Sequence, residues 1–398
     1  MKRINVLFIV ENSFYPRDTR VYNECTAINQ KAFFKCFVFA PRNNKSKEKF
    51  FELHEGVTVF RFPHYDSKSI ISILLEYFIS FLWFVFVVPL IVLFHRIKII
   101  HVGNPPDFIL PAFFWLKIFG VKFIFDQHDL SLEQFKIRVK NENIISRLLL
   151  VLLARFERWS VILSDLVVAT NSTIEDHEYK ISKNKKIIIV RNSNKIQYSS
   201  IRVIPKKNNK KLHLGFIGSL MYHREAGIES LKDIAYFLRE KNIDFIFSVI
   251  GEGPGMVILK NLLKRDNLEN HFHFYGWLRP QKAFLEIINF DFGILPWTIC
   301  ESNNVHTAAK LMDYMCCAAP VCTLTLREQI RTTDKIGIHT ETFEEMVSEI
   351  IKIYNDKKLY EDLRRRTLAR FNEHLCWEKQ ENVLLEGYSE LIKKHKAI

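Results

Sequence analysis

Short apolar runs alternate with longer stretches of helical periodicity through the first half of the chain. Such alternation is typical of parallel strands joined by helical crossovers, so it predicts a doubly wound parallel sheet. The predicted strands are Asn5–Val10, Lys35–Ala40, Val57–Phe62, Lys98–Val102, Val121–Phe125 and Leu166–Ala169, and the predicted helices are Thr19–Lys31 and Ile144–Leu163.

The same pattern restarts after a lysine-rich polar stretch that ends near residue 211. It predicts a second α/β unit, followed by a charged helix from about Lys357 onward. We therefore expect two Rossmann-like domains, 1–180 and 181–365, and a C-terminal helix, 366–398, that packs across both. The predicted elements of the second unit are strands Leu212–Ile217, Phe245–Ile250, His271–Tyr275 and Phe292–Leu295, with helices Gly227–Lys241, Met256–Asp266 and Gln281–Asn289.

One segment, Ile70 to Phe94, is apolar apart from Glu76 and is long enough to cross a bilayer as a helix. A single crossing, however, would separate strands that we expect to share one sheet. We therefore predict a helix or helical hairpin that is partly covered by the domain and lies partly in the lipid interface, next to the apolar run 113–115. A helix wholly buried in the domain and a true membrane span are the alternatives. The basic residues expected to assist at the interface are Arg96, Lys98, Lys117 and Lys122.

The net charge of +13 is carried by the first half, because residues 1–211 hold 33 basic and 18 acidic side chains. A basic surface attracts nucleic acid, anionic lipid or a phosphorylated substrate. The aromatic residues cluster in apolar runs instead of interleaving with the basic ones, so no nucleic-acid partner is expected. The seven cysteines lack metal-site spacing and read as reduced thiols, which is typical of a cytoplasmic protein.

Glycine or proline closes four successive predicted strands of the second half, in Gly218-Ser219, Gly251-Glu252-Gly253, Tyr275-Gly276 and Leu295-Pro296. In open α/β sheets, ligands bind outside the carboxyl ends of the strands, where backbone N–H groups are offered to anions. The first two loops are therefore predicted to bind a phosphate group through Gly218, Ser219, Gly251, Glu252 and Gly253, although a glycine turn of this kind also occurs without a ligand.

The order of these blocks, ending in Lys-Leu-Met-Asp-Tyr-Met-Cys-Cys-Ala-Ala-Pro-Val from Lys310 to Val321, resembles the group 1 retaining glycosyltransferases over about residues 210–325. The resemblance implies the GT-B fold, in which two Rossmann-like domains face each other across a cleft. It also implies that Asp313 holds the ribose of a nucleotide and is part of the catalytic set. A carboxylate suits a vicinal diol because its two oxygens can each accept a hydroxyl hydrogen bond. Lys310, one turn earlier, is expected to face the diphosphate.

The chain departs from the family pattern at several positions. Val305 stands where the family has a further glutamate. Either Glu301 or Asn304 compensates for the missing carboxylate, or no residue does. Ser219 and Ala226 stand where the family has an arginine and a lysine, and Arg224 is the expected substitute cation. Alanines replace the usual glycine at 318–319.

The resemblance is looser in the first half, where three loops follow predicted strands. His128 matches a family histidine that faces the donor sugar between the domains, so it is a predicted catalytic residue; a histidine that merely caps the strand is the other interpretation. Arg17, Arg20 and Asp129 are predicted to bind the acceptor. For the two arginines, solvated charges at the start of a helix are the other interpretation.

The resemblance implies a retaining transferase that moves a hexose-type sugar from a nucleotide-diphosphate sugar, a UDP-sugar by family frequency. The acceptor is expected to be a lipid-linked or envelope saccharide at the inner face of the cytoplasmic membrane, to which the protein is peripherally bound. No cofactor and no metal ion are expected, because helix N-terminal amides and basic side chains stabilise the leaving diphosphate. A catalytically inactive homologue that serves as a membrane-associated scaffold is the alternative.

Overall fold

The computed structural model describes residues 3–43, 48–64, 70–138, 144–195, 211–221 and 226–396. The chain divides into two compact units. The first consists of Met1–Val190 together with Glu381–Ile398, and the second of Arg191–Gln380. Each unit is built on a largely parallel sheet with helical crossovers, so the predicted α/β fold class is confirmed.

Eight strands form the sheet of the first unit within its described residues. They are β1 (Ile4–Ile9), β2 (Phe34–Arg42), β3 (Phe51–His54), β4 (Val57–Pro63), β5 (Ile97–Gly103), β6 (Lys122–Gln127), β7 (Leu166–Ala169) and β8 (Ile187–Ile189). Their order is β3-β4-β2-β1-β5-β6-β7-β8, and all pairs are parallel except β3 with β4. The central strands are continuous apolar runs because both sheet faces are covered. The edge strand β3 was not predicted, since its alternating Phe-Glu-Leu-His pattern leaves one face in solvent.

Helices cover the sheet of the first unit. They are α1 (Thr19–Asn29), α2 (Ile70–Phe94), α3 (Ile109–Ala112), α4 (Ser131–Arg138), α5 (Ile144–Leu163) and α6 (Ser172–Ile181), with a 3₁₀ turn at Phe114–Phe119. Caps fix two starts, because Asp18 accepts from the N–H of Val21 and Asn171 accepts from the N–H of Ile174.

The helix α2 has one buried and one exposed face, although nearly all its described side chains are apolar. Ser80, Phe84, Val88 and Ile91 recur at helical spacing and are buried. About a third of the apolar window Leu75–Phe94 is buried within the protein. This helix is long and apolar enough to cross a membrane by length and composition alone. The exposed stripe consists of Leu75, Phe78, Leu82, Phe86, Leu90 and Leu93.

The second unit forms a six-stranded parallel sheet from its described residues, in the order β11-β10-β9-β12-β13-β14. The strands are β9 (Leu212–Ile217), β10 (Phe245–Ile250), β11 (Phe272–Gly276), β12 (Phe292–Leu295), β13 (Val321–Leu324) and β14 (Ile338–Thr340). The helices are α7 (Ser230–Glu240), α8 (Gly255–Arg265), α9 (Pro280–Ile287), α10 (Glu301–Val305), α11 (Lys310–Cys316), α12 (Arg327–Thr333), α13 (Phe343–Asn355) and α14 (Lys357–Arg370), and a last helix, α15 (Trp377–Lys396), begins in this unit and continues into the first.

The single C-terminal helix predicted from about Lys357 is interrupted, which corrects that expectation. After α14 the chain makes one π-helical turn, Phe371–Leu375, and Cys376 is extended. The break lets the N–H of Trp377 donate to the Asn194 carbonyl at 2.8 Å, a bond that a continuous helix would not allow. From Glu381 onward α15 belongs to the first unit, where Tyr388 is fully buried.

Candidate functional site

Two glycine loops meet at the carboxyl edge of the second sheet. Gly218 follows β9 and Gly251 follows β10, and both have positive φ, 144° and 132°. A Cβ on Gly251 would lie 1.9 Å from the Gly218 carbonyl oxygen, so only glycine fits this backbone-to-backbone approach. The loops thereby leave a surface without side chains, which is where a phosphate group approaches a Rossmann-like sheet most closely.

Lys310 reaches this surface from the start of α11. Its Nζ would lie 2.7 Å from a Cβ on Gly218, and it sits 4.1 Å from the centroid of the Phe216 ring. Burial lowers the pKa of Lys310 to about 8, against the opposing effect of Asp313. The amine forms no ion pair with a described residue, so its positive charge is available to an anionic ligand at Gly218.

Asp313 lies one turn further along α11, on the same face. Its Oδ1 accepts from Asn194 Nδ2 at 2.8 Å. Burial raises the pKa of Asp313 to about 6, although Asn194 and Lys310 both favour the charged form. A carboxylate with one acceptor oxygen fixed by an amide is held in a defined orientation. Asn194 was not predicted as a site residue.

Tyr314 supports the base of this arrangement. Its hydroxyl accepts from the N–H of Ile217 at 3.1 Å and donates to the Ile294 carbonyl at 3.0 Å, so it joins the ends of β9 and β12. The ring packs where Gly293 lacks a side chain, since a Cβ there would be 2.3 Å from it. Lys310 and Asp313 are thus carried by a helix that is anchored through the residue next to Asp313.

The proposed substitutes for the family glutamate are engaged elsewhere. Glu301 accepts from Arg327 Nη2 at 2.7 Å, and Asn304 Oδ1 accepts from the N–H of Arg327 at 3.0 Å. Val305 itself is buried. These contacts stabilise the packing of α10 beside α12, and compensation by either side chain stays a prediction.

The remaining predicted donor residues are Ser219, Glu252, Gly253 and Arg224. Ser219 is exposed beside Gly218. Glu252 also lies at the surface, but its Oε1 accepts from the N–H of Trp277 at 3.2 Å, which gives it a structural contact at the neighbouring loop. Gly253 has φ 155° and packs on the Leu220 carbonyl. Arg224 lies outside the described residues.

In the first unit, His128 is paired with a buried carboxylate. Its Nε2 lies 2.6 Å from Asp126 Oδ2, and its backbone N–H donates to Asn104 Oδ1. Burial alone would raise the pKa of Asp126, but Arg20 and His128 hold it well below its usual value. Because an ionised carboxylate can only accept, the Nε2–H group of His128 donates to Asp126, which fixes the orientation of the ring. An imidazole oriented in this way is suited to accept a proton or a hydroxyl hydrogen bond.

Arg20 lies in a buried hydrogen-bond and ion-pair network, which corrects its predicted role in acceptor binding. The guanidinium is buried and donates to both oxygens of Asp126, at 3.0 and 2.6 Å, and to the Val190 carbonyl at 2.6 Å. It also lies 3.1 Å from Glu24. The neighbouring His101, which burial keeps at a lowered pKa, bonds Tyr388 through Nδ1 at 2.7 Å. This network fixes the end of β6, from which His128 projects.

The other acceptor residues stay predictions. The guanidinium of Arg17 is more than half exposed, and its nearest carboxylate is Glu48 at 4.0 Å. Asp129 lies beside His128, and its backbone N–H donates to Asn104 Oδ1 at 3.3 Å. Arg17 is therefore the predicted acceptor cation that remains available to a ligand.

Two parallel Rossmann-like sheets, one with a side-chain-free glycine edge beside Lys310 and Asp313, define a nucleotide-binding class of protein. Within that class, residues 211–356 match the family model "Glycosyl transferases group 1". The second unit therefore contains a group 1 glycosyltransferase domain, and this match supports a glycosyltransferase. A search of curated proteins gives no match.

Solved structures of the GT-B fold resemble the whole chain. A sucrose-phosphate synthase from Thermosynechococcus elongatus matches at a TM-score of 0.73 and 14% identity, covering 98% of this chain and 100% of its own. Anabaena HepE in complex with UDP matches at 0.66 and 13%, covering 98% and 100%. The lipopolysaccharide outer core galactosyltransferase WaaB matches at 0.64 and 14%, with the same coverage. At these identities the likeness establishes the fold, which is GT-B as expected.

Proposed function

We propose that this protein is a retaining hexosyltransferase that takes its sugar from a UDP-sugar. The donor binds the second unit, and the acceptor is a lipid-linked or envelope saccharide at the cytoplasmic face of the membrane. In the reaction, the bond between the anomeric carbon and the diphosphate oxygen breaks and a bond to the acceptor hydroxyl oxygen forms. The acceptor proton passes to the departing diphosphate, on the same face of the sugar.

The observation that carries the donor assignment is the pairing of Lys310 and Asp313 at the glycine edge. Lys310 supplies the cation for the diphosphate next to Gly218, and Asp313 supplies two acceptor positions for a ribose diol. Both have pKa values shifted toward neutrality by burial, as is common at binding sites that lack their ligand. Solved structures of Anabaena HepE contain UDP and UDP-glucose, which supports a uridine donor.

Leaving-group stabilisation is the largest contribution that the second unit offers to the rate. Lys310 and the backbone amides of the glycine loops are placed before the reaction and do not have to reorient as the diphosphate gains charge. This supports transfer without a metal ion at the diphosphate. To His128, held by Asp126, we assign a hydrogen bond to the reacting sugar.

The membrane assignment rests on a contiguous apolar surface of the first unit. A groove of about 670 Å³ is lined by apolar side chains of α2, the 108–114 segment and α5, including Phe78, Phe114 and Trp159. The exposed stripe of α2 continues this surface. Two further apolar side chains are exposed, Ile118 shortly after the 108–114 segment and Leu148 on α5. Arg155 and Arg158 are exposed on α5, and arginines flanking apolar surface favour anionic lipid. Lys117 and Lys122 instead pair with Asp165.

Both flanking strands of α2, β4 and β5, belong to the same sheet, so we favour α2 lying on the membrane over crossing it. Flotation with vesicles of phosphatidylglycerol and phosphatidylethanolamine tests this. The wild type is expected to float, Phe86→Asp to remain largely unbound, and Val257→Asp, an exposed control in the second unit, to float normally. A wild type that stays in the dense fraction contradicts the membrane assignment.

Transfer is tested by incubating the protein with UDP- and GDP-sugars and a bacterial membrane lipid extract, following nucleoside diphosphate release and sugar in the lipid fraction. One UDP-sugar should be consumed with retention at the anomeric carbon by NMR, and Asp313→Ala should abolish consumption. Binding of UDP without turnover of any donor would favour the inactive scaffold.

A further inference from the structure

A second cluster of ionisable groups lies in the first unit, on the other side of β6 from Arg20. It consists of Glu157 on α5 and His177 and Glu178 on α6. One potential ligand atom from each lies within 4.8 Å of the other two. Donor atoms around one ion with bonds of about 2.1 Å lie up to about 4.2 Å apart, so a small side-chain adjustment brings all three into one coordination shell.

The side chain of Glu178 is fully buried, and neither Oε1 nor Oε2 has a hydrogen-bond partner among the residues that the structure describes. Nothing in the sheet or helix packing requires an acid there, since a buried carboxyl without a partner is strongly destabilising. One carboxylate oxygen of Glu178 lies within 4.8 Å of a ligand atom of each of the other two members, which indicates a missing positive partner.

The surrounding charges sharpen this conclusion. Glu157 is buried, and its Oε1 accepts from Gln127 Nε2 at 2.8 Å while Oε2 lies 3.2 Å from His177 Nε2. Asp107 is also buried close enough that Glu157 and Glu178 interact with it electrostatically. No described lysine or arginine pairs with any of these three carboxyl groups. The imidazole, even when protonated, supplies one positive charge for three acids.

We propose that Glu157, His177 and Glu178 bind a divalent transition-metal ion, of the Zn²⁺ or Mn²⁺ type, as a structural site of the first unit. Two carboxylate oxygens and an imidazole nitrogen form a mixed O/N donor set. Zn²⁺ and Mn²⁺ bind such a set, whereas Mg²⁺ and Ca²⁺ prefer oxygen ligands alone. The ion's two positive charges offset the buried carboxylates. His177 is partly exposed and provides the entry path.

The site lies directly behind the loop that carries His128. Gln127, next in sequence, holds Glu157, and Asn104 joins Asp107 through Nδ2 at 2.8 Å while its Oδ1 accepts from the N–H of His128 at 2.6 Å. Metal ligands and the residues that orient them act as one rigid group. Bound metal would therefore fix the 126–129 loop without contacting substrate.

The test is metal analysis of the full-length protein purified without chelator, followed by titration of the EDTA-treated protein with Zn²⁺ and Mn²⁺ under thermal unfolding. The wild type should contain about one ion per chain. Adding Zn²⁺ or Mn²⁺ back to the EDTA-treated protein should raise its thermal unfolding midpoint. Glu178→Gln and His177→Gln should each weaken the metal affinity at least about tenfold. Glu133→Gln, a partly exposed acid on α4 that pairs with Lys136, is the matched control.

Two results would overturn the proposal. One is a wild type without stoichiometric metal whose midpoint responds to neither ion. The other is metal binding that Glu178→Gln leaves unchanged, which places the ion elsewhere. A metal-free Glu178→Gln variant that is more stable than the wild type at pH 8 in EDTA, together with the first result, would identify the cluster as carboxyl groups that hold protons. Glutamine is nearly isosteric with glutamate, so these variants should fold.

Discussion

Two buried charge clusters, the Arg20 network of the first unit and the Lys310–Asp313 pair of the second, differ in how far their charges are paired. In the first, Arg20 is saturated by Asp126, Glu24 and the Val190 carbonyl, and Asp126 is held ionised with its pKa well below the usual range. In the second, Lys310 has no ion pair with a described residue, and burial raises the pKa of Asp313 to about 6. The saturated network is a scaffold that orients His128, whereas the unsaturated pair is suited to a ligand that brings its own charge and hydroxyl groups.

Removing the cation from the saturated network should give the largest effect. Arg20→Leu leaves Asp126 and Glu24 buried without their partner, so we expect the free energy of unfolding to fall by about 3–5 kcal/mol. Urea denaturation measures the loss. Arg17→Leu, which alters an exposed guanidinium three residues earlier, should stay within about 0.5 kcal/mol of wild type. Equal losses in the two variants would show that the network is not the source.

Removing the charge of Asp313 from the Lys310–Asp313 pair should increase the free energy of unfolding, in contrast to the loss expected for Arg20→Leu. Because burial raises the pKa of folded Asp313, its ionisation costs stability as pH rises from about 4 through 6. Asp313→Asn removes that cost, so the ligand-free variant should be more stable than wild type by on the order of 2 kcal/mol at pH 8, a value reduced for partial solvent exposure. The gain should vanish near pH 4. A variant less stable than wild type at pH 8 would contradict the unsaturated state of Asp313.

The smallest effects are expected at predicted site residues that the structure places in local contacts. Glu252→Gln and Glu301→Gln alter exposed carboxylates that hold Trp277 and Arg327. Each should change unfolding free energy by less than about 0.5 kcal/mol and leave UDP affinity unchanged. A tenfold loss of affinity in Glu301→Gln would restore it as the substitute for the missing family glutamate.

Sequence periodicity was sufficient for most of the sheet strands, because parallel strands covered on both faces are continuous apolar runs with glycine or proline at their ends, but it missed the edge strand β3. It was also sufficient for α2 and α5, whose predicted bounds agree with the structure. Periodicity did not predict the break in the C-terminal helix, because the hydrophobic pattern does not record long-range backbone hydrogen bonds. The break at Cys376 depends on a backbone bond to Asn194, which is distant in sequence.

The site was predictable in part for the same reason. Lys310 and Asp313 lie one turn apart on a helix, and their common face follows from spacing alone. The pairing of Asp126 with Arg20, and of Asn194 with Asp313, joins residues more than a hundred positions apart. Such pairs depend on strand order, so Arg20 was assigned to the acceptor and Asn194 was overlooked.

The central claim is that Lys310 and Asp313 form the donor site, and calorimetric titration of UDP against wild type and Asp313→Asn between pH 5 and 8 tests it most directly. The account predicts that wild-type affinity falls as pH drops below about 6, where Asp313 takes up a proton and loses an acceptor. Asp313→Asn should bind at least about tenfold more weakly at pH 7.5 and show little of this pH dependence, a tenfold change being 1.4 kcal/mol. Equal affinity of the two proteins at pH 7.5 would contradict the assignment of the ribose to Asp313.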